Sequence, residues 1–299
     1  MEYVVSARIS ELQVIDPGEI RRVQLALPEG VEINGRRYVI HDVMRPGTAF
    51  LAKPWGSRTE KYRRRMYTRS NAASIEPGLL ETFINDTHLP QADTSTWWQS
   101  KEADTWFEGE KGIDVRLTVD EDAGIATVYE NTSQCKGTNL RLEPDGEWED
   151  RRLVCVAFGT GVTPFLSYVR YMADQGWTKS GRTGDGSLTL IASVRHERQL
   201  MFHQVLLKIA QQVPLRFQYI PVLTRSWPND WSSLTGRIIR TKVRSSGEEQ
   251  IDPTPLLELV PNLSQCDLRM CGSVMACRQV MQGLKEHHIF PATVRSESW

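Results

Sequence analysis

The chain has 299 residues, of which 40% are hydrophobic and 24% are charged, and its 36 basic and 37 acidic side chains leave a formal net charge of −1. This length favours two ordinary domains, and the near balance of charge removes the electrostatic reason to expect nucleic-acid binding. No segment approaches the roughly 18 consecutive apolar residues of a membrane span, and the amino-terminal residues do not form a secretory signal, so we expect a cytoplasmic protein.

Short runs of alternating apolar and polar residues dominate the first half of the chain. Such runs are typical of half-buried strands, and turns of the Pro-Gly, Glu-Gly and Asn-Gly type separate them. The pattern predicts an antiparallel barrel or sandwich. The predicted strands are Val4–Ile9, Arg22–Leu27, Tyr38–Ile40 and Asp114–Val119.

The polar segment Ile75–Gly112 follows neither a strand nor a helix pattern, although it contains Trp97, Trp98 and Trp106. We interpret it as an inserted loop or lid on the barrel. Two roles for the tryptophans stay open. They form a platform for a partner protein, or they cover an open end of the barrel.

Near Leu153 the rhythm changes to continuous apolar runs that alternate with helical patterns. Strands covered on both faces have such runs, and the alternation predicts a parallel sheet built from βαβ units. The acidic, turn-rich residues 143–150 mark the boundary, so we predict domains at 1–150 and 151–299. The predicted strands are Leu153–Phe158, Leu188–Ser193, Phe217–Leu223 and Asp267–Met270, and the predicted helices are Pro164–Met172 and Leu200–Val213.

The five cysteines are Cys135, Cys155, Cys266, Cys271 and Cys277. No two of them form the Cys-x-x-Cys pair of a zinc knuckle, and Cys266 and Cys271 lack the further cysteine that would complete an iron–sulfur loop. We therefore expect free thiols and no metal. Any electron relay in this chain needs an organic cofactor or a separate protein.

Two glycine motifs follow predicted strands of the second half. In Phe158-Gly159-Thr160-Gly161-Val162-Thr163-Pro164-Phe165, glycines let the backbone approach a pyrophosphate, and the start of the next helix supplies unpaired N–H groups. Pro164 suits the first turn of that helix. The alternative is an ordinary tight turn between strand and helix. Cys271-Gly272-Ser273 ends another strand, and a buried structural cysteine is the alternative there.

Together with these two motifs, three further segments resemble the ferredoxin–NADP⁺ reductase superfamily, in family order and over nearly the whole chain. One departure is Thr138, where the family has an acidic residue. The three segments are Arg65-Met66-Tyr67-Thr68 for the flavin-binding Arg-x-Tyr-Ser/Thr motif, Gly124-Ile125-Ala126-Thr127 for the Gly-x-x-Ser/Thr motif that opens a phosphate-binding helix, and Gly137-Thr138-Asn139-Leu140 through Glu143-Pro144-Asp145-Gly146 for the following barrel strand. The chain also ends in Glu297-Ser298-Trp299, similar to the aromatic carboxy terminus of plant-type and bacterial reductases.

The resemblance implies a Greek-key antiparallel β-barrel that binds FAD, followed by an α/β parallel-sheet domain that binds NADP. It implies that Tyr67 packs against the isoalloxazine ring, that the Thr68 hydroxyl lies near flavin N5, and that Arg65 pairs with the flavin pyrophosphate. For Arg65 the alternative is one more solvated charge. The resemblance further assigns the flavin phosphates to Gly124 and Thr127.

The resemblance also assigns roles at the nicotinamide. Gly159, Thr160, Gly161 and Pro164 would hold the coenzyme pyrophosphate, and Gly272 would line the coenzyme site beside Cys271. Cys271 would flank the nicotinamide C4, Glu297 would assist proton or electron traffic, and Trp299 would stack on the flavin face. The cofactor supplies the chemistry and the protein orients it.

Three arginines favour NADPH over NADH. Bacterial reductases of this family bind the 2′-phosphate with arginines that follow successive strands of the sheet, and Arg195, Arg225 and Arg237 occupy similar positions here. No acidic residue ends the strand before Arg195, where an NAD enzyme binds the ribose hydroxyls. A solvated arginine is the alternative at each position taken singly.

The expected function is that of an NADPH-dependent flavoprotein reductase, which passes electrons through FAD to a ferredoxin, a flavodoxin or another redox protein, including one that serves an oxygenase. A reductase of free flavin or ferric chelates is the first alternative. The second is a non-catalytic flavin subunit of a redox complex.

Overall fold

The computed structural model describes residues 3–86, 93–129, 139–142, 148, 150–177, 186–243 and 249–298. The chain divides into two compact units, one made of residues 1–142 with 163–174 and the other of residues 143–162 with 175–299. The predicted domain boundary at residue 150 stays a prediction, and the segments Gly137–Thr138 and Glu143–Gly146 of the resemblance lie outside the described residues.

The first unit is rich in strands, as its alternating sequence predicts. The four strands expected from the sequence are all present, and three have bounds within two residues of those predicted, whereas the first continues to Asp16 and not only to Ile9. The strands are β1 (Tyr3–Asp16), β2 (Ile20–Ala26), β3 (Gly30–Ile33), β4 (Arg36–His41), β5 (Ala49–Lys53), β6 (Trp55–Gly56), β7 (Lys61–Tyr62), β8 (Arg65–Thr68), β9 (Leu79–Asn85), β10 (Gly112–Asp120) and β11 (Ile125–Val128), and the helices are α1 (Asp93–Trp98), α2 (Lys101–Glu108) and α3 (Thr163–Met172).

The sheet of this unit runs in the order β3-β4-β11-β10-β1-β2-β9, and β5 joins β10 to β8. Its pairs are antiparallel except β4 with β11, which is parallel. Apolar side chains of alternate positions, such as Val23 and Leu25 of β2, point into the core and are at most 1% exposed. The predicted antiparallel strand-rich domain is confirmed, with one parallel pair that the sequence pattern did not indicate.

The segment Ile75–Gly112 is not an irregular loop, and this part of the prediction is wrong. It contains β9, which pairs antiparallel with β2, as well as helices α1 and α2. Trp97 and Trp98 of α1 are 0% and 1% exposed and lie in the core of the first unit. The sequence did not predict this burial, because the apolar residues on two short helices show too few repeats to establish a period within a polar segment.

Helix α3 belongs to the first unit, although it follows a strand of the second. Its Arg170 Nη1 donates to Glu81 Oε1 of β9 at 2.8 Å, and Arg22 of β2 reaches Glu81 Oε2 through Nη2 at 2.5 Å. The Glu81 side chain is fully buried. A carboxylate removed from water needs such partners, because burying an unpaired charge is costly.

The second unit holds the predicted parallel sheet, in the order β15-β14-β13-β12-β18-β19. The predicted strands and the helix predicted at Leu200–Val213 are present in this unit, and strand β19 pairs in parallel with β18. Its strands are β12 (Arg152–Phe158), β13 (Ser187–Val194), β14 (Phe217–Leu223), β15 (Leu234–Thr235), β16 (Arg240–Val243), β17 (Glu249–Asp252), β18 (Asp267–Gly272) and β19 (Thr293–Ser298); its helices are α4 (His203–Gln212), α5 (Thr254–Leu259) and α6 (Val274–Glu286). Single helical turns occur at Gly159–Val162, Ala173–Trp177, Glu197–Gln199 and Leu263–Gln265.

Candidate functional site

Strand β8 carries the segment Arg65–Thr68 and pairs antiparallel with β5, with Ala49 opposite Thr68 and Ala52 opposite Arg65. All four residues of β8 are half-buried. They are therefore accessible in part while the sheet fixes their backbone. The next residue, Arg69, is 1% exposed.

Arg69 secures the end of β8 from inside the unit. Its Nη1 donates to Asp42 Oδ1 at 2.7 Å, and its Nη2 donates to the Leu79 carbonyl at 2.7 Å. The two charged side chains are each 2% exposed. Sequence reasoning missed this pair because nothing local distinguishes a buried arginine from the exposed arginines before it.

Arg65 is held at the first turn of helix α1. Its Nε donates to Thr94 Oγ1 at 3.2 Å, and its Nη1 donates to the Arg64 carbonyl at 3.0 Å. A guanidinium beside a hydroxyl presents the donors that phosphate oxygens accept. Thr94 was not predicted, although the run Asp93-Thr94-Ser95-Thr96 before two tryptophans is a helix-start signal.

Tyr67 lies with its hydroxyl among buried groups. Trp98 Nε1 donates to Tyr67 Oη at 3.0 Å, and the two rings meet edge to face with centroids 6.4 Å apart. Burial raises the pKa of Tyr67 to about 12, against the lowering effects of hydrogen bonds with Trp98 and Thr94 and the charge of Arg65. The phenol is therefore neutral at physiological pH, and its ring is held in one orientation.

The Gly124–Thr127 segment does not open a helix, so this part of the resemblance is wrong. Gly124 has φ of 68°, and strand β11 begins at the next residue and pairs with β10 and β4. The β-branched residues Ile125, Thr127 and Val128 favour a strand. Backbone N–H groups of a strand are used in its ladders, so Gly124 and Thr127 offer no helix start for phosphates.

In the second unit, the two predicted glycine motifs lie against each other at the carboxyl ends of adjacent strands β12 and β18. A Cβ on Gly161 would come within 2.1 Å of the Cys271 carbonyl oxygen, and a Cβ on Gly272 within 2.2 Å of the Phe158 carbonyl oxygen. Gly272 also has φ of 124°, which favours glycine. Both glycines are therefore required by close contact of the two loops.

Gly159 differs from these two glycines. It has φ of 59°, and a Cβ there would meet nothing within 4 Å. The loop therefore has open space beside its first glycine. β12 is also where the strand order reverses, since β13 lies on one side and β18 on the other. Ligands of open α/β sheets bind at the carboxyl ends of strands at such a point, and this cradle fits the pyrophosphate of a nicotinamide coenzyme.

Cys271 and Glu297 are direct neighbours on the parallel strands β18 and β19. Cys271 is 0% exposed and Glu297 is 6% exposed. Burial, followed by the negative charge of Glu297, raises the pKa of the Cys271 thiol well above its usual value. The thiol is therefore protonated at neutral pH and is not a thiolate nucleophile.

Arg195, Arg225 and Arg237 all follow the carboxyl ends of neighbouring strands, namely β13, β14 and β15. The Arg195 carbonyl accepts from the backbone N–H groups of Arg225 and Ser226, each at 3.2 Å. His196 Nδ1 also lies 2.6 Å from Ser226 Oγ, a contact that the sequence did not predict. The structure thus brings the three arginines to one edge of the sheet, on loops tied to each other.

Other predicted features have simpler outcomes. Trp299 lies outside the described residues, so its role stays a prediction. Among the described residues, no group of His, Cys, Asp and Glu side chains is arranged to hold a metal ion. No helix in the described part of the chain has the length and apolar character needed to cross a membrane.

Comparison with known proteins identifies part of the chain at the level of sequence. Residues 155–281 match the family described as oxidoreductase NAD-binding domain. This region contains the Gly159–Gly161 loop, the three arginines and Cys271-Gly272. Among curated protein sequences, no significant match to the chain is found.

Solved structures resemble the whole chain. Amycolatopsis cytochrome P450 reductase GcoB is 17% identical with a TM-score of 0.64, over 99% of this chain and 70% of that one. The flavohem-like FAD/NAD-binding domain of nitric oxide dioxygenase from Vibrio cholerae is 15% identical with a TM-score of 0.61, over 99% of both chains. A variant of ferredoxin–NADP⁺ reductase from Plasmodium falciparum with 2′-phospho-AMP is 16% identical with a TM-score of 0.58, over 99% of this chain and 96% of that one. At these identities the likeness establishes the fold, and it confirms the predicted combination of a strand-rich and a parallel-sheet domain.

Proposed function

We propose that this chain is an NADPH-dependent flavoprotein reductase of the ferredoxin–NADP⁺ reductase type, which passes electrons through FAD to a one-electron acceptor protein. Its residues 155–281 match the oxidoreductase NAD-binding domain family. The observation that carries the proposal is the contact of the Gly161 and Cys271-Gly272 backbones at the point where the strand order reverses. This contact forms a cradle with open space beside Gly159.

The residues of the second unit are proposed to bind and orient the coenzyme. The Gly159–Gly161 loop would approach its pyrophosphate, and Arg195, Arg225 and Arg237 would contact the 2′-phosphate through charge-assisted hydrogen bonds. The protonated thiol of Cys271 would contact the nicotinamide as a small apolar surface. Glu297, beside that thiol, would hold or move a proton.

The residues of the first unit are proposed to hold FAD, which supplies hydride acceptance from NADPH and release of single electrons when it is bound. Arg65 and Thr94 would donate to the flavin pyrophosphate. Tyr67, held by Trp98, would pack on the isoalloxazine ring, and Thr68 would place its hydroxyl at N5. A FAD/NAD-binding domain among the similar folds supports this assignment.

The proposed acceptor is an acidic ferredoxin or flavodoxin, including one that serves an oxygenase. Residues 58–65, which lead directly into β8, carry five basic side chains and one acidic side chain. Those at 58–64 are exposed, apart from the half-buried Thr59. Such a cluster steers an acidic protein toward the flavin motif. A P450 reductase among the similar folds supports an oxygenase as the final destination. Free cysteines in the described residues favour a reducing, cytoplasmic compartment.

The experiment that tests the proposal begins with the purified protein. We expect it to be yellow, to release FAD on denaturation, and to oxidise NADPH when ferredoxin and cytochrome c are supplied. Mass spectrometry of the released flavin and steady-state kinetics check these points. Release of FMN alone would overturn the FAD assignment. Faster reduction of free flavin than of ferredoxin would show that the acceptor is free flavin and not a ferredoxin.

A matched pair of variants tests the flavin site. Arg65→Ala should lower the FAD content of the protein, since it removes the guanidinium that is held beside Thr94. Arg64→Ala removes an equal charge from the neighbouring exposed residue and should leave the FAD content unchanged. Equal FAD loss in both variants would show that the effect is one of general charge and not of a phosphate contact.

A further inference from the structure

A continuous series of aromatic rings crosses the first unit. The Tyr67 and Trp98 centroids are 6.4 Å apart, and those of Trp98 and Trp97 are 4.9 Å apart. Trp97 then lies 5.0 Å from Trp106, and Trp106 lies 6.3 Å from Tyr62. We call these five residues the aromatic series.

The two ends of the series differ in their exposure. Tyr67 lies on β8, in the segment proposed to contact the flavin, whereas Tyr62 of β7 is 59% exposed. Between them Trp97 and Trp98 are 0% and 1% exposed. The series therefore connects the proposed flavin site with solvent through the core of a single compact unit.

Hydrophobic packing alone does not account for Trp97. Its indole Nε1 is buried and has no hydrogen-bond partner among the residues that the structure describes, which is a costly condition for a donor. Phenylalanine would fill a core without a buried N–H group. Tryptophan and tyrosine, in contrast with phenylalanine, are readily oxidised by one electron.

The surroundings of Trp97 suit a side chain that is oxidised briefly. A tryptophan that loses an electron becomes a stronger acid at its N–H group. Because no described residue accepts from Trp97 Nε1, the proton stays on the ring and the positive charge moves to the next ring. Trp98 Nε1 donates to Tyr67 Oη, and the phenol of Tyr67 also keeps its proton.

Fixed positive charges lie beside both ends of the series. The charge of Arg65 acts on Tyr67 at the inner end. Lys111 Nζ lies 4.9 Å from the centre of the Trp106 ring, so it disfavours a lasting positive charge on Trp106 and favours transfer of that charge to Tyr62. Tyr62, beyond Trp106, is exposed and releases its phenol proton to water when oxidised. The neutral Tyr62 radical is therefore the end point.

We propose that the aromatic series carries single oxidising equivalents from the flavin site to Tyr62, and thereby protects the cofactor and the core when light excites the flavin. The proposal rests on the proposed function only for the presence of flavin. Trp98 gives one electron, across Tyr67, to the photo-excited oxidised flavin. Trp97 reduces oxidised Trp98, and Trp106 reduces oxidised Trp97.

Tyr62 completes the sequence by reducing oxidised Trp106 and losing its proton to water. The resulting Tyr62 radical takes a hydrogen atom from a low-molecular-weight thiol, which becomes a thiyl radical. The electron gained at the flavin leaves to dioxygen, which becomes superoxide. Each ring of the series returns to its starting state.

Flash photolysis of the flavin-loaded protein tests the path. In the wild type we expect a tryptophan radical that is replaced by a tyrosyl radical. The two radicals are monitored by their separate absorption bands. Tyr62→Phe should lose the tyrosyl signal and keep the tryptophan signal, whereas Tyr3→Phe, in the same unit but outside the series, should keep both. A tyrosyl signal that persists in Tyr62→Phe overturns the proposal.

Interruption of the series inside the core gives a second test. Trp97→Phe should abolish the tyrosyl signal while Trp227→Phe, an exposed tryptophan of the other unit, should not. If Trp97→Phe does not fold, Trp106→Phe at the half-buried position of the series replaces it with the same expected loss.

A flavin-free experiment separates this proposal from the proposed function. Azide radicals generated by pulse radiolysis oxidise tryptophan in the apoprotein, and we expect the charge on Trp106 to reach Tyr62 there as well. A tyrosyl signal that is lost in Tyr62→Phe and in Trp106→Phe, but not in Tyr3→Phe, supports the series even in a preparation that binds no flavin. Its absence in the wild-type apoprotein overturns the series whether or not the enzyme assay succeeds.

Discussion

Gly161 contacts the backbone of Cys271 so closely that a Cβ at position 161 would lie 2.1 Å from the Cys271 carbonyl oxygen and 2.3 Å from its carbonyl carbon. Both atoms belong to a central strand of the parallel sheet, where hydrogen bonds to two neighbouring strands prevent adjustment. The two glycine motifs are therefore one structural feature, although more than a hundred positions separate them in the sequence.

Gly161→Ala should lower the free energy of unfolding by about 1–3 kcal/mol, the usual cost of overpacking, and should weaken nicotinamide binding. Gly159→Asn is the matched control for stability in the same loop, because a Cβ there meets nothing within 4 Å and asparagine tolerates its φ of 59°. Urea unfolding measures the stability of both variants, and coenzyme titration measures the binding loss in Gly161→Ala. Equal stability of the two would contradict the close contact.

Glu81→Gln should lower the free energy of unfolding by about 3 kcal/mol, since it leaves Arg22 and Arg170 partly buried without their carboxylate. Both arginine side chains keep 19% exposure, which limits the loss. Glu11→Gln is the control, because Glu11 pairs with the same Arg22 at 3.3 Å but is 38% exposed. That change should cost under about 1 kcal/mol, as judged by urea unfolding.

Acid should destabilise the protein in part through Glu81. Burial opposes its ionisation, but its polar neighbours outweigh burial and lower the pKa of Glu81 below its usual value. Those neighbours are Arg170, Ser70, Gln24 and Arg22. The ionised form therefore stabilises the fold above the pKa of the unfolded state, and this stability is lost as pH falls through the folded-state pKa. From neutral to acidic pH, the free energy of unfolding should fall more steeply for the wild type than for Glu81→Gln. Parallel curves of unfolding free energy against pH would show that Glu81 does not contribute.

Arg195→Ala should weaken NADPH binding by about 10- to 100-fold, because a charge-assisted contact with phosphate contributes about 1.5–3 kcal/mol. NADH binding should change little, since NADH lacks the 2′-phosphate. Arg152→Ala removes an exposed arginine at the opposite edge of the same sheet and serves as the control. Dissociation constants for both coenzymes decide the matter, and equal weakening of NADH by Arg195→Ala would argue against a phosphate contact.

Trp299→Ser should tighten the binding of nicotinamide coenzymes, and of NAD⁺ in particular, if the carboxy-terminal ring covers the flavin face. The gain should be several-fold, since aromatic contacts contribute about 0.5–1.5 kcal/mol beyond burial. Titration with NADP⁺ and NAD⁺ measures the effect. Unchanged affinities together with an unchanged flavin spectrum would place Trp299 elsewhere.

The sequence by itself determined which half forms alternating, half-buried strands, which half forms buried strands with helices between them, and where the glycine loop lies. Alternation along β1 and β10 and the continuous apolar run of β12 are local patterns, because the side chains of a strand point to opposite faces and a doubly covered strand needs apolar residues on both. The glycine and proline positions from Gly159 to Pro164 have equally local causes, namely backbone conformation and the start of a helix.

Only the tertiary structure decided the surroundings of the charged and aromatic side chains. Trp97 and Trp98 lie in a polar segment, yet they are buried, and Glu81 lies between two arginines from distant parts of the chain. The parallel pairing of β11 with β4 joins segments that are far apart in the sequence. Burial, ion pairing and strand pairing depend on residues far away in the sequence, so local periodicity carries no information about them.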